Sequence, residues 1–209
     1  MSQRCVLFDM DGTLYDSGID FRAIRDRLGL PQDGRPILEQ LREATLDARS
    51  QGIALLHAAE AEGAANGQLI PGARELLEWL QTQDVRCALV TNNSRRSVNA
   101  ILATHSLLSL DLVLTRDDAT AKPEPDLFLL AMQKLGCNPA TSAAVGDTHL
   151  DALAAHRAGI REIHLVALPD WMATVIPADV EYKPANSLAD VRAGLEAWLQ
   201  REDASGLMV

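Results

Sequence analysis

The chain has 209 residues, 47% of them apolar, which suits one domain or one domain with a modest insertion and excludes a disordered chain. Nineteen Lys and Arg against 29 Asp and Glu leave a net charge of −10, and aromatic residues make up 4% of the chain, so neither a nucleic-acid face nor a contact with anionic membrane is expected. The three cysteines, Cys5, Cys87 and Cys137, are too few and too scattered for a disulfide framework or a CxxC metal site.

The first short apolar run, Cys5–Phe8, reads as a strand covered on both faces. Residues 17–70 then offer no strand. They carry a helix at Phe21–Leu28, a helical face marked by Ile37, Leu38, Leu41, Thr45 and Ala48, and an Ala-rich helix at Ile53–Ala65. The Ala/Glu run at 58–65 is expected to be solvated. After Pro71-Gly72 comes an amphipathic helix over Gly72–Gln83, with Leu76, Leu77 and Leu80 on one stripe. Strands follow at Cys87–Val90 and Leu112–Leu114. Next are a helix at Pro125–Leu135 stopped by Gly136, a strand at Ala143–Val145, a helix at Asp151–Ala158 stopped by Gly159, and a strand at Ile163–Val166. The alternation predicts an α/β fold, a doubly wound parallel sheet. The predicted organisation is a core of 1–16 and 71–209 that carries a small inserted helical domain at 17–70.

Ligands of a parallel sheet bind beyond the carboxyl ends of its strands, so the residues there matter most. The first strand runs into Asp9-Met10-Asp11-Gly12-Thr13-Leu14 and the second into Thr91-Asn92-Asn93. Lys122-Pro123 opens a later helical region, and Gly146-Asp147 closes the fourth strand with Asp151 just beyond. Two neighbouring carboxylates repel each other, and ionising both requires a cation. Gly12 supplies the backbone freedom to turn Asp9 and Asp11 toward one site. With Asp147 as a third oxygen donor, the set suits Mg²⁺. Thr91 and Asn92 are neutral donors suited to phosphoryl oxygens, and Lys122 adds a compact positive charge.

DxDGT at 9–13, Thr91-Asn92, Lys122-Pro123 and GDxxxD at 146–151 occur in one order along nearly the whole chain. In this the sequence resembles the haloacid dehalogenase superfamily, of the subfamily with a helical cap inserted after the first strand, a pattern that phosphoglycolate phosphatases share. The resemblance implies a Mg²⁺-dependent phosphatase that hydrolyses a small phosphomonoester through an aspartyl phosphate. By the same resemblance Asp9 is the nucleophile, and Asp11 is the general acid and then the base. Asp9, the Asp11 backbone carbonyl and Asp147 hold the metal, with Asp151 orienting that shell. Thr91, Asn92 and Lys122 bind the phosphoryl group.

Relatives with these motifs also include phosphomutases of the β-phosphoglucomutase type, so transfer to a second hydroxyl is an alternative to hydrolysis. A non-catalytic phospho-ligand module is a further alternative. Against it, Asp9, Asp11, Lys122 and Asp147 are all present. Asp11 also argues against a C–halogen dehalogenase, which lacks the second aspartate. The expected partner is a small phosphorylated metabolite, with no nucleic acid and no membrane. Four apolar residues after Met-Ser-Gln-Arg fall short of a signal peptide, and no run spans a membrane, so a cytoplasmic location is expected. His149 is expected in a loop, His156 as structural or exposed, and Arg95 and Arg96 on a solvated helix face. Phe21, Arg22 and Arg25 read as ordinary amphipathic-helix residues. Neither the individual substrate nor the oligomeric state follows from the motifs.

Overall fold

A computed structural model describes residues 3–105 and 110–206. The first strand, β1 (Cys5–Phe8), is central because it is apolar on both sides: Val6 and Phe8 enter one core cluster, Cys5 and Leu7 the other. A short β2 (Tyr15–Asp16) follows, then three helices, α1 (Phe21–Leu28), α2 (Ile37–Glu43) and α3 (Leu46–Asn66), and β3 (Gln68–Leu69). The chain continues through α4 (Ala73–Thr82), β4 (Arg86–Val90), α5 (Arg95–Thr104), β5 (Leu112–Leu114), α6 (Asp126–Leu135), β6 (Ser142–Gly146), α7 (His149–Arg157) and β7 (Glu162–Val166). It closes with α8 (Asp170–Ala173), β8 (Lys183–Ala185) and α9 (Leu188–Gly206).

Six strands form one sheet in the order β5-β4-β1-β6-β7-β8, and every neighbouring pair is parallel. Buried residues of α4, α5 and α9 cover one face and those of α6 and α7 the other, so the α/β doubly wound sheet is realised. The strand order reverses about β1, which opens the crevice beyond β1, β4 and β6 where such sheets take ligands.

Three local expectations need correction. Residues 17–70 do contain a strand, because Gln68 and Leu69 pair antiparallel with Asp16 and Tyr15. Two residues are too few for an alternating pattern to register in sequence. The face drawn through Ile37, Leu38, Leu41, Thr45 and Ala48 is broken at Ala44, where α2 ends; Thr45 caps α3 by accepting from the Ala48 N–H. Helix α7 starts at His149 rather than Asp151, so His149 is helical and buried. The sequence also left β8 and the extent of α3 unmarked. The inserted helices carry an apolar cluster of their own around Ile24, Ile37 and Leu41. Among the described residues no helix is long and apolar enough to cross a membrane.

Candidate active site

Directly after β1 the chain turns tightly. The Met10 carbonyl accepts from the N–H groups of Thr13, Leu14 and Tyr15, and Gly12 adopts φ +78°. A side chain at Gly12 would put its Cβ 2.1 Å from Asp147 Oδ2, so glycine serves there both for conformation and for close approach. This turn sends Asp9 and Asp11 to one side of the sheet rim, where Thr91, Lys122 and Asp147 also line one cavity with them.

Lys122 is buried and its ammonium is fully used. It donates to Asp9 Oδ1 at 2.7 Å, to the Val90 carbonyl at 3.0 Å and to Asp151 Oδ1 at 2.5 Å. Its three donors meet three acceptors, which fixes its charge beside Asp9 and Asp151. Burial by itself lowers the pKa of this amine, but Asp151 and Asp9 outweigh burial and hold it above the usual lysine range.

Asn92 is tied to the same loop. Its side-chain Nδ2 donates to the Lys122 carbonyl at 2.9 Å and its Oδ1 accepts from the Lys122 N–H at 2.8 Å. The amide thus clamps the lysine loop. The Thr91 hydroxyl oxygen accepts from the Asn93 N–H at 3.1 Å, and the residue lines the cavity.

Asp151 Oδ2 accepts from the Thr148 N–H and hydroxyl, while Oδ1 takes Lys122. Oxygens of Asp9, Asp147 and Asp151 lie within 4.8 Å of one another. Both oxygens of Asp151 are held in place by these bonds. Asp147 Oδ1 and Asp11 Oδ1 are buried with no hydrogen-bond partner. Orphaned buried carboxylate oxygens beside a third carboxylate are what a hard, oxygen-seeking divalent cation such as Mg²⁺ fits.

The electrostatics point the same way. Burial raises the Asp9 carboxyl to about 7, with Asp151 adding to the rise and Lys122 opposing it. Asp147 is held well above the usual carboxylate range by burial, then by Asp9 and Asp151. Burial also raises Asp11, against the bonds it accepts from Ser17 and Asn93.

Three residues at this site escaped the sequence reading. Asn93 donates from Nδ2 to Asp11 Oδ2 at 3.0 Å and so fixes the second aspartate; its place beside Thr91-Asn92 was the available signal. Glu60, expected in a solvated run, is buried and ion-paired with Arg116, and it accepts from the Ser94 hydroxyl at 2.7 Å. Arg116 in turn donates to the Asn92 carbonyl at 2.9 Å. No spacing rule links positions 60 and 116; only the packing of α3 on α5 brings them together.

His149 donates from Nε2 to the Gly34 carbonyl at 2.9 Å, tying α7 to the inserted segment. Arg95 is not on a free face, since it pairs with Asp118 and donates to the Val113 carbonyl. His156 accepts from Arg161 at the half-exposed end of α7, as expected of a structural residue. Phe21, Arg22 and Arg25 line the cavity, Phe21 and Arg22 from exposed positions on α1.

A family model described as haloacid dehalogenase-like hydrolase matches residues 3–159. The chain belongs to that family. This haloacid dehalogenase-like hydrolase is 33% identical over 187 residues to a phosphoglycolate phosphatase of Pseudomonas putida, covering 78% of this chain and 69% of that protein. It is 31% identical over 196 residues to protein CbbY of Rhodobacter capsulatus, covering 78% and 85% of the two chains. In three dimensions the hydrolase resembles the haloacid dehalogenase-like family protein SP0104 of Streptococcus pneumoniae, with TM-score 0.71, 21% identity, and coverage of 92% of this chain and 98% of that one.

Proposed function

We propose that this hydrolase is a Mg²⁺-dependent phosphatase that cleaves a small phosphomonoester in the cytoplasm through an aspartyl phosphate on Asp9. The observation that carries the reading is the convergence of buried Asp9 with half-buried Asp11 and Asp147 on one rim, with Lys122 fixing Asp9. The curated relatives named as phosphatases support it.

Asp9 Oδ2 has no hydrogen-bond partner among the described residues and attacks phosphorus as the ester P–O bond breaks. Asp11 passes its proton to the departing alkoxide; the burial that raises its pKa keeps that proton available, and Asn93 holds the carboxyl in place. Asp11 then takes a proton from the water that attacks the aspartyl phosphate, which releases inorganic phosphate and restores Asp9. The Thr91 hydroxyl donates to a phosphoryl oxygen, and Lys122 balances the charge of Asp9 and Asp151. The carboxylate of Asp9, the backbone carbonyl of Asp11 and Asp147 would hold Mg²⁺, which supplies charge neutralisation to the phosphoryl oxygens when bound.

Residues 17–70 act as a cap over this site and residues 1–16 with 71–209 as the catalytic core. The antiparallel pair β2–β3 is the stalk between them. The two contacts from Glu60 to Arg116 and from His149 to Gly34 support this division, because each joins the inserted segment to a loop or helix of the sheet.

The test is phosphate release from a panel of phosphometabolites, with Mg²⁺ and with excess EDTA. Release that needs Mg²⁺ and is abolished in Asp9→Asn is expected. Full turnover in EDTA, or in that variant, overturns the assignment. Transfer to a second hydroxyl without phosphate release identifies a mutase instead.

A further inference from the structure

The cavity above Asp9 has a volume of about 730 Å³. Pockets of about 300–1,000 Å³ enclose whole drug-sized ligands, so a phosphoryl group on a two-carbon chain leaves most of this space empty. Apart from the catalytic rim, its walls are largely apolar: Phe21, Ile37, Leu38 and Leu56 from the inserted helices, Trp171 and Met172 from α8. An apolar wall away from the reacting end is a place for a carbon body.

Two guanidinium groups interrupt that apolar wall, Arg22 and Arg25, one turn apart on α1. Arg25 donates to the Phe21 carbonyl at 3.3 Å and to the Arg35 carbonyl at 2.8 Å, while its Nε–H is buried with no acceptor. Neighbouring carboxylates are engaged elsewhere. Asp33 takes Arg35 and Gln40, and Asp26 takes Gln32. Among the described residues neither Arg22 nor Arg25 has a carboxylate within ion-pair distance. Half-buried Arg25 therefore lines the cavity with backbone carbonyls, and no carboxylate, as its hydrogen-bond partners. A partly desolvated guanidinium with one N–H left unpaired is costly, and an anion that arrives with the ligand removes the cost.

We infer that Arg25, assisted by Arg22, is the specificity-determining residue of the cap, and that the substrate is a phosphomonoester with an apolar body and a second anionic group such as a carboxylate. The phosphoryl group faces Asp9, the body lies along the Phe21–Leu56 wall, and the second anion meets Arg25. This rests on the phosphatase reading and refines it.

The test uses two aryl phosphates of matched size and near-equal leaving-group basicity, para-carboxymethylphenyl phosphate and para-propylphenyl phosphate. The expected kcat/KM ratio favours the carboxylate ester by about 10–100-fold, the worth of one or two hydrogen bonds to a charged group. Arg25→Ala should bring the ratio to about one, and Arg25→Lys should restore part of it. A purely structural role for Arg25 would lower both esters together and keep the ratio. A wild-type ratio near one, or a ratio unchanged in Arg25→Ala, overturns the inference. Hydrolysis of p-nitrophenyl phosphate checks the phosphatase reading separately. The matching pair of benzylphosphonates, titrated by calorimetry with Mg²⁺, reads the same preference without turnover. Equal binding of the two by the wild-type protein refutes the role of Arg25 whatever the turnover result.

Discussion

Asp147 offers a sharp test of whether the rim is a metal site or a structural acid cluster. Its oxygens approach those of Asp9 and Asp151 within 4.8 Å, and one of them is buried without a partner. At that separation and an effective dielectric near 20, each like-charge pair costs about 3.5 kcal/mol when both are ionised. Lys122 offsets one pair, and Asp9 at about 7 is only partly ionised near neutrality, which leaves a net strain of about 2 kcal/mol. Asp147→Asn removes the charge and keeps the shape, so in EDTA at pH 7 the variant should melt higher than wild type by about 4–8 °C. The pH sign is definite. Asp9 and Asp147 bind protons more tightly folded than unfolded, so their contribution is present at low pH and is lost as pH rises, through about 7 for Asp9. The gap between variant and wild type should therefore widen from pH 5 to pH 8. In saturating Mg²⁺ the order should reverse, because only wild type gains binding energy from the cation. Scanning fluorimetry of both proteins in the two buffers is sufficient. A variant less stable than wild type in EDTA at pH 7 would show that Asp147 is a structural residue, and the cation argument would fail with it.

Other expectations follow from the same geometry. Asp11→Asn should slow the first chemical step on alkyl phosphates by about 10²–10⁴-fold yet spare p-nitrophenyl phosphate, whose leaving group needs little protonation; single-turnover kinetics with both esters decide it, and equal losses exclude Asp11 as the acid. Since Mg²⁺ must displace protons from the raised Asp9 and Asp147, calorimetric titration should give tighter binding at pH 8 than at pH 6, and equal affinities would contradict that coupling. Arg116→Met strands the buried Glu60 and should cost about 3–5 kcal/mol in denaturant unfolding. Adding Glu60→Met should recover most of this loss, whereas additive losses would mean that the two side chains act independently.

How much of this was readable in advance depends on the range of the interaction. Strands such as Cys5–Phe8 and Leu112–Leu114 announced themselves because apolar runs covered on both faces are a local property of sequence. Asp9, Asp11, Lys122 and Asp147 were legible because they sit at strand ends or loops that the parallel topology must bring to one rim. Their hydrogen-bond partners were not. That Lys122 has spent all its donors and that Asn92 holds the lysine loop depend on where backbone carbonyls fall after packing. Glu60, in a run that looks solvated by composition, is buried because α3 docks on α5 beside a loop 56 residues away. Arg25 looked like any helix-surface cation until the inserted segment placed it in the cavity wall without a carboxylate partner. Local periodicity and strand-end motifs determined the fold and the acid cluster; charge pairing across the cavity is a long-range property, and only the tertiary structure decided it.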